Sequence, residues 1–311
     1  MNTRSPAEWG VDQFRSAGVA RDSLSREWRP EADVHPRVVT VRRISAADLL
    51  DVLRRGWADF GANRTDIIFL CVLYPVIGIV LAYAASGRDL LPLIFPLASG
   101  FALVGPFAAL GLYEMSRRRE LGVAAGWTDV FRVLSVPSLG AIVWLGLLLT
   151  AIFLTWLLVA YAIYRVTLGP LPPTSAISFI HDVLTTPAGW TMIVAGVGFG
   201  FVFAVLVFCL SVVGFPLLLD REVGLEAAVA ASVRTVAANP GPMAVWGLIL
   251  AGSLVVGSLP LFVGLAIALP LLGHSTWHLY RKVVVWQEAP RESTPSAGSP
   301  FAAPIRSERQ G

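Results

Sequence analysis

The sequence predicts an all-α fold, a polytopic bundle of transmembrane helices. Hydrophobic residues make up 55% of the chain and charged residues only 14%, whereas soluble domains average about 25% charged residues. Charged side chains are also missing from five long stretches: residues 67–87, 90–113, 133–164, 183–219 and 235–280. Each stretch is at least as long as the roughly 20 residues that a helix needs to cross a bilayer. The composition therefore excludes a soluble protein with one large core.

Six spans follow from these stretches. The first four lie near 67–85, 90–113, 138–164 and 189–217. The last stretch is long enough for two crossings, and Gly257-Ser-Leu-Pro260 favours a turn within it. The fifth and sixth spans are therefore expected near 243–258 and 261–281.

The basic residues predict which way the chain crosses the membrane. If both termini are cytoplasmic, 22 of the 24 Lys and Arg residues lie on the inner side, and only Arg88 and Arg165 lie outside. Basic residues are retained in cytoplasmic segments. We therefore expect a multi-pass protein with both ends in the cytoplasm.

Three amphipathic helices are predicted on the inner face, one before each odd-numbered span. The apolar faces comprise Leu49, Val52, Leu53, Gly56, Trp57 and Phe60 in the first, Val123, Trp127, Val130, Phe131 and Leu134 in the second, and Leu225, Ala228, Val229, Val233 and Val236 in the third. The first begins with a capping box formed by Ser45 and Asp48, and Asp59 falls on its charged face. Such helices typically lie in the membrane interface.

A threefold repeat and two tails complete the predicted organisation. Gly56-Trp-Ala-Asp59 resembles Gly126-Trp-Thr-Asp129, and each even-numbered span contains a proline. We interpret residues 44–115, 120–219 and 224–285 as three units of one amphipathic helix and one helical hairpin, with chance recurrence as the alternative. The polar segments 1–43 and 286–311 flank the membrane domain 44–285 and are predicted to be disordered cytoplasmic tails.

The densest polar cluster lies at the inner end of span six. His274 and His278 are four residues apart and therefore share a helix face. Such a pair can bind a metal or haem iron, but the other two histidines lie in the N-terminal tail and an outside loop. We therefore expect no metal and no cofactor. The preferred interpretation is that this segment anchors the helix end at the interface beside Trp277 and Tyr280.

A second group of candidate binding residues lies at the inner end of span two. Glu114 precedes Arg117 and Arg118 and is placed to pair with these arginines, or with Arg281 if spans two and six adjoin. A gate or proton site is one interpretation, and a solvated ion pair at the interface is the simpler one. The arginines are also candidates for binding anionic lipid headgroups.

Four segments resemble one known family: residues 48–60, Phe95-Pro-Leu-Ala-Ser-Gly-Phe-Ala-Leu-Val-Gly-Pro106, Gly111-Leu-Tyr-Glu-Met-Ser-Arg-Arg-Arg-Glu120 and Gly273-His-Ser-Thr-Trp-His-Leu-Tyr280. They are similar to the uncharacterised bacterial integral membrane proteins of domain of unknown function 2189. The likeness runs from about Val38 to Val285. The resemblance implies a location in the bacterial inner membrane, and some relatives carry names linked to cytochrome c oxidase. It implies no activity.

Three functional hypotheses follow, none with a catalytic residue. The first is a non-enzymatic protein that organises membrane lipids, including anionic headgroups on the cytoplasmic side, or other membrane proteins or further copies of itself. It is favoured by the amphipathic helices and by the absence of charges within the spans, and it involves no nucleic acid. The second is a transporter or channel for a neutral or amphiphilic solute, with a cavity between spans two, four and six. The third is an accessory subunit of a respiratory redox complex that uses His274 and His278.

Overall fold

The computed structural model describes residues 38–62, 88–99, 101–123, 132–169, 173–259 and 263–287. The first described elements are strand β1 (Val38–Val41), helix α1 (Ala46–Ala62), a 3-10 helix (Arg88–Leu93), α2 (Ile94–Ser99) and α3 (Phe101–Glu120). They are followed by α4 (Leu139–Thr167), α5 (Ala176–Thr185), α6 (Pro187–Ser211) and α7 (Gly214–Asp220). The last are α8 (Leu225–Ala238), α9 (Pro240–Ser258), α10 (Leu265–Val283) and strand β2 (Val284–Gln287).

Within these described ranges, three helical stretches are long and apolar enough to cross a membrane. They are Leu139–Thr167, Pro187–Asp220 and Pro240–Ser258, and they coincide with the predicted spans three, four and five. Many of their large apolar side chains are exposed on the protein surface, for example Leu158 and Phe201. A membrane helix can leave such side chains facing lipid, because its backbone groups are already hydrogen-bonded within the helix.

The predicted spans one, two and six have different outcomes. Span one, near 67–85, lies outside the described residues. The region of span two, 90–113, is divided among the 3-10 helix, α2 and α3, and its prolines disfavour one continuous helix because proline lacks a backbone N–H. Span six corresponds to α10, but α3 and α10 are less apolar than the three membrane-length stretches.

Helix α10, which is more polar than the three membrane-length stretches, occupies the centre of the described fold. Thirteen of the 19 residues of α10 are buried, including its polar segment from His274 to Thr276. Its main neighbours are α1, α3 and α9. The prediction that this polar segment anchors the helix end at the membrane interface beside Trp277 and Tyr280 is wrong, because His274 and both aromatic side chains are buried inside the protein.

Helix α1 uses its apolar face for packing inside the protein. Leu49 and Val52 are buried, and the helix packs mainly on α10. The predicted face was slightly misplaced, because Trp57 is exposed whereas Asp59 is buried. The predicted capping box is confirmed, since the Ser45 backbone N–H donates to Asp48 Oδ2 at 2.8 Å.

The other two predicted amphipathic helices are only partly tested. Most of the second, residues 124–131, lies outside the described part of the chain. The third is α8, whose buried residues are Ala228, Ala231, Ser232 and Thr235. Val233, predicted for the apolar face, is exposed. Small side chains face inward because α8 packs closely on α6, α7 and β1.

The two ends of the described fold meet in a small antiparallel sheet. Strand β1 pairs with β2 in a register that places Val38 opposite Gln287 and Val41 opposite Val284. The predicted tail boundary at residue 43 is therefore wrong, because residues 38–41 form a strand. The sheet places the start of α1 beside the end of α10, and Lys282 Nζ lies 2.8 Å from carboxylate oxygens of both Asp48 and Asp51.

Candidate functional site

Two glycines allow the helices that form the site to approach closely. A Cβ atom at Gly56 of α1 would overlap Ser275 Oγ and lie 2.8 Å from the Ser275 backbone nitrogen. A Cβ atom at Gly273 of α10 would lie 2.5 Å from Leu112 Cδ1 of α3. Another residue type at Gly56 would require the backbones of α1 and α10 to move apart, whereas at Gly273 it would require at least the Leu112 side chain to move. The two glycines therefore leave room for α1 and α3 to pack closely on α10.

This packing buries a carboxylate that joins all three helices. Asp59 of α1 is 5% exposed, and its Oδ2 accepts a hydrogen bond of 2.6 Å from Ser116 Oγ. His278 Nε2 of α10 lies 2.8 Å from the same oxygen. Arg119 donates to the other carboxylate oxygen, Oδ1, at 2.9 Å. A buried charge needs such partners to offset its loss of hydration.

The two predicted histidines lie on either side of this carboxylate. His274 is fully buried, and its Nδ1 lies 2.8 Å from Ser116 Oγ. Because a hydroxyl group has one proton and Ser116 donates it to Asp59, His274 Nδ1 must carry the hydrogen of this second bond. His278 contacts Asp59 through Nε2, and its Nδ1 lies 3.5 Å from Glu120 Oε1. The result is a continuous polar chain, His274–Ser116–Asp59–His278–Glu120, which we call the polar chain.

Both carboxyl groups in the polar chain are stabilised in the ionised form. Burial alone would raise the pKa of Asp59, but hydrogen bonds from His278 and Ser116 outweigh burial and lower this pKa. The pKa of Glu120 is likewise lowered, against the effect of its partial burial, by His278 and by Arg281. Arg281 Nε lies 3.1 Å from Glu120 Oε2. Two negative charges therefore face His278 from opposite sides.

The polar chain contains serine, histidine and aspartate but differs from a hydrolase triad. In a triad, histidine lies between the other two residues, accepts the serine proton and is oriented by the carboxylate. Here Ser116 donates directly to Asp59, and His274 lies on the far side of the serine. Ser116 is also fully buried. This geometry does not activate the hydroxyl group as a nucleophile.

A second group of ion pairs contains the other predicted site residues. Arg117 NH1 lies 2.9 Å from Glu114 Oε2, and its Nε lies 3.6 Å from Asp220 Oδ1. Asp220 also accepts a hydrogen bond of 2.7 Å from Tyr280 and lies 3.5 Å from Arg281 NH1. The pairing of Glu114 with Arg117 agrees with the sequence prediction, but Glu114 is only 6% exposed. The expectation of a solvated ion pair at the interface is therefore wrong for the Glu114 side chain, whereas Arg117 is partly exposed.

An apolar pocket lies elsewhere in the molecule, among the 3-10 helix, α2, α4, α5 and α6. Its volume is about 420 Å³, within the range of small-molecule sites. The lining residues are all of non-polar type: Leu91, Pro92, Ile94, Phe95, Pro96, Trp156, Ala160, Ile163, Ala176, Phe179, Ile180, Val183, Met192, Ile193, Gly196 and Val197. The lining side chains Phe95, Ile180 and Val197 are more than half exposed, so the pocket is open to the protein surface.

The structure brings together some of the predicted site residues and separates others. His274 and His278 belong to the polar chain, whereas Glu114 and Arg117 belong to the neighbouring ion-pair group. Arg118 also lies on α3, directly after Arg117, and its side chain is partly buried. Asp59 was missed as a site residue, although its motif was noted, because helical periodicity placed it on a charged outer face. A cavity between spans two, four and six was also predicted, but α10 supplies no lining residue and α4 takes its place.

His274 and His278 were also considered as metal or haem ligands. Among the residues that the structure describes, no group of three or more His, Cys, Asp or Glu side chains is arranged to hold a metal ion. A histidine ligand must direct a nitrogen lone pair at the metal, but both ring nitrogens of His278 face carboxylates. This arrangement does not fit the use of His278 as a haem or metal ligand.

Comparison with known proteins agrees with the membrane helices described above. No curated protein and no solved structure matches the chain. Residues 94–220, from α2 to the end of α7, match the family described as predicted integral membrane protein (DUF2189). This match confirms the resemblance noted in the sequence over residues 94–220, whereas the similar segments 48–60 and 273–280 lie outside the matched range. The chain is thus an integral membrane protein whose residues 94–220 are similar to the DUF2189 family.

Proposed function

We propose that this protein is a non-enzymatic membrane protein that organises lipid by holding an acyl chain in the apolar pocket. The observation that carries this proposal is the pocket of about 420 Å³ with a lining of non-polar residues. Its walls include α4 and α6, two of the three described helices that are suited to crossing a membrane. This composition of the walls supports entry of a lipid tail from the bilayer.

The energetics of this site favour holding lipid in place over extracting it. Lipid tails are as apolar as leucine, so a tail that moves from the bilayer into the pocket gains no hydrophobic free energy. The gain must come from close van der Waals packing against the walls. Such a site selects tails by shape and length, which suits an organiser of the surrounding lipid.

The arginines contribute less to lipid binding than their sequence suggests. Arg117, Arg119 and Arg281 each lie within 3.1 Å of a carboxylate oxygen of the protein. An anionic headgroup would have to compete with these internal partners. We therefore propose the acyl chain as the main contact, with anionic headgroups, other membrane proteins or further copies of this chain as additional partners.

We further propose that the protein crosses the bacterial inner membrane six times with both termini in the cytoplasm. The distribution of Lys and Arg supports this orientation. Single cysteines introduced at Gly122 and Gly169 provide a test, because these glycines follow α3 and α4 and are expected on opposite sides. Labelling of both from the same side by an impermeant reagent would contradict the proposal.

The acyl-chain proposal is tested by filling the pocket. Gly196 lines it and has no atom within 4 Å of a built Cβ, so Gly196→Phe places a ring in the pocket without a clash at Cβ. Gly198→Phe is the matched control, because Gly198 has equal space but does not line the pocket. Native mass spectrometry of the detergent-extracted protein should show about tenfold weaker phospholipid retention for Gly196→Phe, equivalent to about 1.4 kcal/mol.

The control should retain lipid like the wild-type protein. Equal retention in all three proteins would contradict the acyl-chain site.

The same pocket supports a second candidate, a carrier for an amphiphilic solute. It is lined from the beginning of the predicted span two and from span four, which supports this hypothesis in part, although α4 takes the place expected for span six. Flux measurements in liposomes distinguish the two functions. Solute flux that is blocked by Gly196→Phe and does not depend on lipid composition would favour the carrier over the organiser.

A further inference from the structure

The polar chain has a geometry that the lipid-organising function does not use. It crosses from the fully buried His274 to Glu120, whose side chain is 30% exposed. His278 lies between the carboxylates of Asp59 and Glu120, both contributed by other helices. We propose that these three side chains form a proton-binding site on His278, filled from solvent through Glu120 and coupled to His274 through Ser116.

The positions of the two ring nitrogens carry this inference. Nε2 must hold a hydrogen, because its neighbour at 2.8 Å is an oxygen of Asp59 that can only accept. In neutral imidazole the other nitrogen, Nδ1, would then direct a lone pair at Glu120 Oε1, 3.5 Å away. Protonation replaces this repulsion with an N–H group that faces a carboxylate. The surroundings of His278 therefore complement an imidazolium ion.

The charges around His278 also balance in the protonated state. The described groups facing it are Asp59 from α1 and Glu120 from α3, with His274 and Arg281 on its own helix. Arg119 pairs with Asp59 and Arg281 with Glu120. The two arginines offset part of the carboxylate charge that favours a proton on His278.

The polar chain provides a route along which protonation is sensed. His274 donates through Nδ1 to Ser116, and Ser116 donates to the same Asp59 oxygen that His278 contacts. When His278 gains or loses a proton, the strength of its bond to Asp59 changes. The hydrogen bond from Ser116 to Asp59 then changes in the opposite sense. Because the three helices meet here, a bound proton on His278 also ties α1 and α3 to α10.

Nitrogen NMR of the full-length protein labelled with ¹⁵N-histidine provides the test, since the chain has only four histidines. His181, whose side chain is 71% exposed, serves as the internal reference. We expect His278 to remain doubly protonated to a higher pH than His181. Glu120→Gln should weaken proton binding by about tenfold and lower the midpoint by about one pH unit.

Glu222→Gln is the matched control, because Glu222 is exposed in the segment between α7 and α8. It should leave the His278 midpoint unchanged. The proposal is overturned if His278 titrates with His181, or if Glu120→Gln and Glu222→Gln have the same effect. Glu120 is chosen over Asp59 because it lies at the edge of the site, where substitution preserves the fold.

The coupling to His274 has its own measurement. In the wild-type protein the His274 nitrogen signals should shift at the midpoint of His278, and Ser116→Ala should abolish that shift while His278 still titrates. If the His274 signals of the wild-type protein do not shift when His278 titrates, the proposed coupling through Ser116 is refuted. These readouts do not involve lipid, so their outcome is independent of the acyl-chain proposal.

Discussion

Helices α6 and α10 show opposite relations between composition and position. The 25 residues of α6 carry no charge, yet only Gly189 and Ser211 are buried by the protein. Helix α10 contains two histidines, a serine, a threonine and two basic residues, and 13 of its 19 residues are buried. In water the apolar helix would be inside. In a bilayer the lipid solvates the apolar side chains, so the protein interior is the place where polar groups find partners.

The comparison implies that substitutions in the two regions lower the free energy of unfolding by different amounts. The interior around α10 depends on specific hydrogen bonds and close contacts, whereas the surface of α6 requires only apolar character. Loss of one polar partner beside α10 should therefore cost far more than an equally conservative change at the periphery.

The largest effect is expected from Asp59→Asn. This change removes the buried negative charge and leaves Arg119 and His278 facing a neutral amide, which should lower the free energy of unfolding by about 3 kcal/mol. Asp51→Asn on the same helix is the control, because Asp51 is 39% exposed and forms surface ion pairs with Arg55 and Lys282. Thermal unfolding in lipid nanodiscs measures both. Equal stability of the two variants would show that the polar interior is not essential.

A smaller effect is expected from Gly56→Ala. The added methyl group would overlap Ser275 and force α1 away from α10, at a cost of about 1–3 kcal/mol. Gly61→Ala makes the same chemical change on α1 where a built Cβ meets nothing within 4 Å. It should leave stability unchanged or raise it by up to about 1 kcal/mol, because alanine favours helix. If both variants unfold at one temperature, close packing at Gly56 does not hold the site together.

The smallest effect on stability is expected when the pH is lowered. The pKa values of Asp59 and Glu120 are lowered in the folded protein, so these carboxyls stabilise it above their unfolded values near 3.9 and 4.3. That contribution is lost as the pH falls below those values. Amide hydrogen exchange of α10, taken relative to α6 in the same sample, should accelerate between about pH 5 and pH 3. A constant ratio would mean that the polar chain does not stabilise α10.

Much of the membrane architecture could be predicted because it depends on local composition. The ends of α4 and α9 lie within a few residues of the predicted spans 138–164 and 243–258, since a charge-free stretch of this length is sufficient to indicate a membrane helix. The capping box at Ser45 and Asp48 was equally local. By contrast, β1 and β2 are short strands separated by more than 200 residues. No local sequence pattern indicated that they pair.

The candidate site was predicted only in part, because its contacts join distant segments. The spacing of His274 and His278 indicated a shared helix face, but not what that face contacts. Ser116 and Asp59 are 57 residues apart, and Asp59 and His278 are 219 residues apart. Helical periodicity assigned Asp59 to solvent, since it marks polar residues as exposed. That rule fails for a helix whose neighbour offers buried hydrogen-bond partners.

The sequence by itself determined that this is an integral membrane protein and where three of its apolar helices lie. It could do so because transfer of a long charge-free helix into lipid is favourable whatever the rest of the chain does. Only the tertiary structure decided that α10 is central, that Asp59 joins three helices, and that the 3-10 helix, α2, α4, α5 and α6 line an apolar pocket. Those features depend on close approach at Gly56 and Gly273 and on partners far apart in sequence, and packing in three dimensions is what selects them.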